Sequence, residues 1–189
     1  MDFELKQLDL GSAAQVACDA LLLLLPDAFL AGTEPLAQLA AAAIKSGDLQ
    51  TKAGKCLALY QPAGLACRRL VLVGAGDGSA QQLRKAVAAG VTAAKSDTVR
   101  QMVLLLPAQA QTAAHLLAAM QAAAEASYVY VSTKSKPEPR SLERLLLGVA
   151  DSAALAAALA HGRALVAGVE LAKEWANRPA NHATPSHLA

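Results

Sequence analysis

Aromatic side chains are nearly missing from this sequence. Phe3, Phe29, Tyr60, Tyr128, Tyr130 and Trp175 are the whole complement in 189 residues, too few for the stacking platform of a single-strand nucleic-acid binder or for a cage around a cation. Strong charge of either sign is also lacking. A net +2 from 17 Lys and Arg against 15 Asp and Glu falls far short of a dedicated nucleic-acid binder, whose affinity rests on many phosphate contacts. Three cysteines, Cys18, Cys56 and Cys67, show no CxxC spacing, which argues against a disulfide framework and against a zinc knuckle. His115 and His161 stand singly in alanine-rich stretches, and His182 with His187 forms neither HExxH nor a three-ligand set. No GxSxG elbow and no close carboxylate pair in a predicted pocket is present. The sequence thus offers no catalytic residue and no metal ligand of its own. Its most hydrophobic stretch, Ala20 to Leu25, halts at Pro26, well below the roughly 20 residues of a membrane span. Asp2 and Glu4 precede the first lysine, the wrong sign for a secretory leader, so a cytoplasmic location is expected.

What the chain does have is alanine, 46 residues, and leucine, 32. Its length suits one ordinary domain with a proper core and a short appendage. Asp2 to Leu10 alternates apolar Phe3 and Leu5 with charged Glu4 and Lys6, the pattern of a strand with one wet face at an edge. Ala20 to Leu25 is apolar throughout and predicts a strand covered on both sides. Leu36, Leu39, Ala40, Ala43 and Ile44 recur at helical spacing from Pro35 to Lys45, with Gly47 as a stop. Lys55 to Tyr60 and Arg69 to Val73 flank Gln61-Pro62-Ala63-Gly64, which predicts a hairpin. Further helices are expected over Ser79 to Lys95 and Gln109 to Ser127, and further strands over Gln101 to Leu106, Tyr128 to Val131 and Arg144 to Ala150. A last helix, capped by Asp151 or Ser152, carries Leu155, Leu159, Val166, Val169 and Ala172 on one face as far as Trp175. Run to Asn177 it would measure about 39 Å, longer than a small domain needs. Alternating strands and helices predict an α/β fold of three αβα layers around a mixed, mostly parallel sheet.

Two clusters invite a functional reading. Gly74-Ala75-Gly76-Asp77-Gly78 lies between a strand and a helix, where backbone amides can meet phosphate. GxGxxG spacing would need a third glycine at Ser79, and no acidic residue closes the next strand, so a tight turn is the simpler reading and Gly74, Gly76 and Gly78 are phosphate candidates only. Lys134, Lys136, Arg140 and Arg144 run through a proline-punctuated loop that Arg68 and Arg69 can join in space. Glu138 and Glu143 interrupt them, so a solvated loop competes with phosphate or DNA contact.

The C-terminal stretch carries the most specific pattern. Glu170 to Asn181, with the core Asn177-x-Pro179-x-Asn181 and Thr184-Pro185 close behind, resembles the segment that leads into the catalytic domain of the leucyl aminopeptidases, the cytosol aminopeptidase family. Asp19 to Leu25, Gly54-Lys55, Leu70 to Gly76, and Tyr128 with Lys134-Ser135-Lys136 are collinear with that family's N-terminal domain. The resemblance implies a macro-domain-like N-terminal domain over residues 1–150, a connector helix over 151–177, and a link over 178–189 into a catalytic domain beyond Ala189. It implies that the family's reaction, release of N-terminal residues from peptides, uses two divalent metals, zinc or manganese, held in that catalytic domain. This chain is therefore expected to be a catalytically silent fragment whose partners are its own catalytic domain and the other copies of a homo-hexamer. The resemblance carries a second possibility, because the family's N-terminal domain is similar to folds that bind ADP-ribose and some members bind DNA. Without the family, Pro179 and Pro185 already predict a shaped, non-helical exit from the last helix.

Overall fold

The computed structural model describes residues 1–182 and Thr184. Strands β1 (Asp2–Gln7), β2 (Ala20–Pro26), β3 (Cys56–Tyr60), β4 (Arg69–Gly76), β5 (Gln101–Leu105) and β6 (Arg144–Val149) form one sheet in the order β1-β6-β5-β2-β4-β3. Every pairing is parallel except β3 with β4. Helices α1 (Leu10–Ala14) and α2 (Pro35–Ser46) cover one face; α3 (Ala80–Ala94), α4 (Ala113–Ser127) and α5 (Ala156–Ala176) cover the other. The result is the expected three-layer α/β architecture.

Side-chain alternation builds both cores from the same strands. In β2, Leu21, Leu23 and Leu25 enter the layer under α1 and α2, while Ala20, Leu22 and Leu24 enter the layer under α3 to α5. Covered on both faces, the strand has no wet side, which is why its apolar run is unbroken. Each fully buried leucine contributes about 2 kcal/mol, so Leu22→Asp is a change the fold cannot absorb.

Local sequence sets the boundaries. Pro35 opens α2 and Gly47 closes it at φ 83°, in the left-handed conformation that favours glycine. The predicted first strand stops early, because Asp9 starts a helix instead. Its carboxylate accepts from the Ser12 amide at 2.7 Å while the Ser12 hydroxyl accepts from the Asp9 amide at 2.9 Å, a reciprocal cap. The last helix begins at Ala156, later than predicted. Asp151 accepts from the Ala153 and Ala154 amides, each at 3.0 Å, and this local turn withholds the segment from helix.

The predicted strand over Tyr128 to Val131 does not form. β1 is the edge strand at that end of the sheet and pairs with β6 alone, and the segment does not add to it. It crosses the surface as a loop after α4. β4 in turn runs on to Gly76 and absorbs the first half of the predicted glycine turn.

Candidate functional site at the end of the long helix

Helix α5 spans 21 residues, about 32 Å at 1.5 Å per residue, and it outgrows the sheet beneath it. Leu155 and Val166 are buried and Leu159 packs against the core. Farther along, Val169 is half-buried, Ala172 is exposed and Leu171 is 60% exposed. The predicted apolar face is therefore seated on this domain for its first half only.

Glu174 organises the free end. Its carboxylate accepts from Tyr128 Oη at 3.4 Å and from Ser132 Oγ, and faces Arg178 at 3.9 Å. Lys173 lies over the Tyr128 ring at 5.3 Å, and the Arg178 guanidinium lies over Trp175 at 4.0 Å. Burial pushes the Tyr128 phenol up; Asn177 opposes the shift and the Glu174 charge adds to it. Tyr128 therefore stays protonated near neutral pH and donates to Glu174. The loop after α4 is thereby fastened to the last turn of α5.

The family-like residues sit directly beyond. Asn177 closes the helix twice over, its amide donating to the Lys173 carbonyl at 3.0 Å and its side chain to the same oxygen at 2.8 Å. Pro179 accepts from the His182 amide at 2.8 Å across the single 3-10 turn that holds Asn181. Thr184 follows, and Pro185 and His187 lie outside the described residues. Arg178 Nε is buried without a hydrogen-bond partner among the described residues.

The two other sequence clusters separate in space. Gly74, Gly76 and Gly78 lie at the carboxyl end of β4, whereas Arg144 opens β6 at the opposite end of the sheet. The amides of the three glycines already donate to the carbonyls of Lys55, Thr51 and Ala75 at 2.8, 2.8 and 3.1 Å. None of the three points its N–H at an incoming phosphate. Glycine at 74 answers a steric demand, since a Cβ there would stand 2.5 Å from the Gln50 and Lys52 carbonyl oxygens.

Of the cations, Lys134, Lys136 and Arg144 are exposed. Arg140 turns inward, its side chain 14% exposed, to donate to the Ser127 and Ala124 carbonyls and to Glu170. It ties α4 to α5 and leaves the surface cluster a member short. Arg68 pairs with Asp19 at 3.6 Å, and Arg69 stacks on Tyr60 and donates to the Ala94 carbonyl. Sequence reading missed the part of Glu174, whose signal was its place four residues before Arg178 at a helix end.

Among the described residues no three His, Cys, Asp or Glu side chains converge on a point that could hold a metal ion. Cys18 and Cys67 are buried and Cys56 stands on the edge strand. Burial, with Cys67 and Asp19 adding, pushes the Cys18 thiol up to about 12, far from the thiolate a metal requires. No helix among the described residues is long and apolar enough to cross a membrane.

Comparison with known proteins places the chain. The sequence model of the cytosol aminopeptidase family, N-terminal domain, matches residues 23–137. The probable cytosol aminopeptidase of Albidiferax ferrireducens is 50% identical over the whole chain, which spans 39% of that protein. Its counterpart in Verminephrobacter eiseniae is 52% identical, again over the whole chain and 36% of the relative. A mutant of tomato leucine aminopeptidase superposes over all of this chain and 40% of its own, with TM-score 0.77 at 24% identity. The bottromycin maturation enzyme BotP matches 91% of this chain and 35% of its own, with TM-score 0.68 at 23% identity. These two likenesses show the shared fold. The chain thus spans well under half the length of the relatives it matches. It belongs to the cytosol aminopeptidase family and corresponds to that family's N-terminal domain.

Proposed function

We propose that this chain is the non-catalytic N-terminal domain of a metal-dependent leucyl aminopeptidase working in the cytoplasm. Its task is to pack against the catalytic domain of the same polypeptide and to support assembly of a homo-hexamer. The observation that carries the reading is the outer half of α5. Leu171 stands there 60% exposed, and just beyond the helix Arg178 Nε is buried without a hydrogen-bond partner among the described residues. A buried unpaired donor costs about 1–3 kcal/mol, and an acceptor from the catalytic domain would relieve that cost.

Relatives about 50% identical are named probable cytosol aminopeptidases, and this chain accounts for 39% of one of them, which leaves more than half of such a protein for peptide cleavage. The zinc or manganese pair that the resemblance implies does not fit the residues described here, whose acidic and thiol groups do not converge. The metals belong to the proposed catalytic domain. The alternative module, for ADP-ribose or DNA, gains no support from glycine amides that are already occupied or from an Arg140 that faces inward.

The test compares the 189-residue chain with a polypeptide of the relatives' full length, each supplied with manganese or zinc and with leucine p-nitroanilide. The longer protein should hydrolyse the substrate and sediment as a hexamer, and the short chain should be inert. Hydrolysis by the short chain that survives repeated purification would refute the reading.

A further inference from the structure

Connections diverge between β2 and β5. After β2 the chain moves toward β3 and β4, and after β5 it moves the other way, to β6. Where neighbouring parallel strands send their connections apart, a crevice opens outside their carboxyl ends, the usual ligand position in sheets of this kind. Here that crevice holds about 330 Å³, enough for a small ligand.

Its lining is apolar. Leu24 and Leu106 form the floor, both about 2% exposed. Phe29 and Pro107 are half-buried in the walls, and Leu30 stands at the rim 83% exposed. Two residues in the lining carry charge, Asp9 and Glu34, and no lysine, arginine or histidine is among them. Exposed Asp9 has its Oδ1 beside Gly11, and the Glu34 side chain passes Gly11 at its Cγ and brings its carboxylate against Gly32.

The two carboxylates differ in their commitments. Asp9 caps α1 through Ser12, and those hydrogen bonds hold its carboxyl below the usual carboxylate range. Glu34 precedes α2 half-buried, and its side chain makes no hydrogen bond or ion pair among the described residues. A phosphate entering here would meet two negative groups with no cation to answer them. A neutral apolar guest would fill the floor but take water from Glu34 and give nothing back. A cation with an aliphatic body meets both demands.

From this we infer that the crevice binds an aliphatic primary ammonium compound, its hydrocarbon chain on Leu24, Leu106 and Leu30 and its ammonium group at the acidic side of the rim, where Glu34 is uncommitted and Asp9 adds negative charge. The ammonium can be that of a free amine or the N-terminus of an aliphatic peptide, since the chemistry presented to the crevice is the same. The inference is independent of the proposed aminopeptidase role.

The probe is 3-methylbutylamine, titrated into the isotope-labelled 189-residue chain and followed by amide shifts. The size-matched neutral 3-methylbutanol and anionic 3-methylbutanoate serve as controls. The amine should shift residues 9–11, 29–34 and 106–109 with millimolar affinity, the alcohol should bind several-fold more weakly, and the carboxylate should not bind. Glu34→Gln should weaken the amine about 2- to 5-fold, Asp9→Asn, which keeps the helix cap, by a similar factor, and added salt should weaken it too. Ala108→Trp, at an exposed position on the lip, should plug the crevice without touching the core. Leucyl-leucinamide binding more tightly than the amine assigns the site to a peptide N-terminus, and the reverse order assigns it to free amines. The site is overturned if the alcohol binds as tightly as the amine, if the carboxylate or ADP-ribose shifts the same amides, if Ala108→Trp leaves the amine's affinity unchanged, or if the amine shifts nothing there.

Discussion

Replacing Gly74 by alanine tests the role assigned to the glycine turn. Gly74 lies in β4 beside Leu25 of β2, and residues 50–52 cross directly over it. An added methyl would stand 2.5 Å from the carbonyl oxygens of Gln50 and Lys52 and 2.6 Å from the carbonyl carbon of Thr51. All three obstacles are backbone, so no rotamer change makes room, and overpacking of this kind costs about 1–3 kcal/mol. If the loop retreats, it pulls on three hydrogen bonds, Gly74 to Lys55 and Gly76 to Thr51 at 2.8 Å and Gly54 to Gly74 at 3.0 Å. Losing one adds about 1 kcal/mol. The sum, about 3 kcal/mol, corresponds to a fall in Tm of about 6–12 °C for a chain of this size. Urea unfolding followed by circular dichroism should show a lower midpoint at unchanged slope. Gly47→Ala is the internal control, because φ there is +83° with nothing within 4 Å, and only the left-handed penalty of about 1 kcal/mol applies. A Gly74→Ala variant as stable as Gly47→Ala would refute the close-approach argument and reopen the phosphate reading.

Arg140→Met should destabilise the chain by about 2–3 kcal/mol, since it strips donors from the Ser127 and Ala124 carbonyls and leaves Glu170 unpaired. Arg140→Lys should recover part of the loss, and an effect on urea unfolding below about 0.5 kcal/mol would remove the residue's clamping role. Cys18 should resist Ellman's reagent in the native state while exposed Cys56 reacts first. Because folding raises the Cys18 value, its contribution to stability is whole below the ordinary 9.0 and is lost as pH climbs through about 12. Alkaline unfolding should therefore be shallower in Cys18→Ala, and equal pH slopes would contradict the burial. Leu171→Asp, at a 60% exposed position, should change the stability of this chain by less than about 0.5 kcal/mol. In the full-length protein it should reduce assembly as seen by sedimentation, if the outer half of α5 is a contact surface.

Elements whose information is local were legible from the residues. The strands announced themselves as apolar runs cut by Pro26 and Pro107, the helix over Pro35–Ser46 by its spacing and its closing Gly47, and the family by Asn177-x-Pro179-x-Asn181. Short or competing signals misled. Helix α1 has five residues, too few for a period to register, so the alternation of the preceding strand reads on across its cap. Tyr128 to Val131 has strand-forming residues, yet a strand forms only where it pairs, and this segment stays off the free edge of β1 while its Tyr128 hydroxyl and the Ser132 hydroxyl after it are held by Glu174 of α5.

Residue order alone therefore determined which segments are apolar on both sides and where backbone chemistry must break them, because burial pattern and turn formation depend on near neighbours. Only tertiary structure decided which side chains meet. Arg140 reads as one more surface cation until α4 and α5 converge on it. The crevice that Asp9 and Glu34 help to line exists because Leu23 and Leu105, remote in the chain, lie side by side in the sheet. Such meetings follow from strand order, a property of the whole packed sheet that no single window of sequence contains.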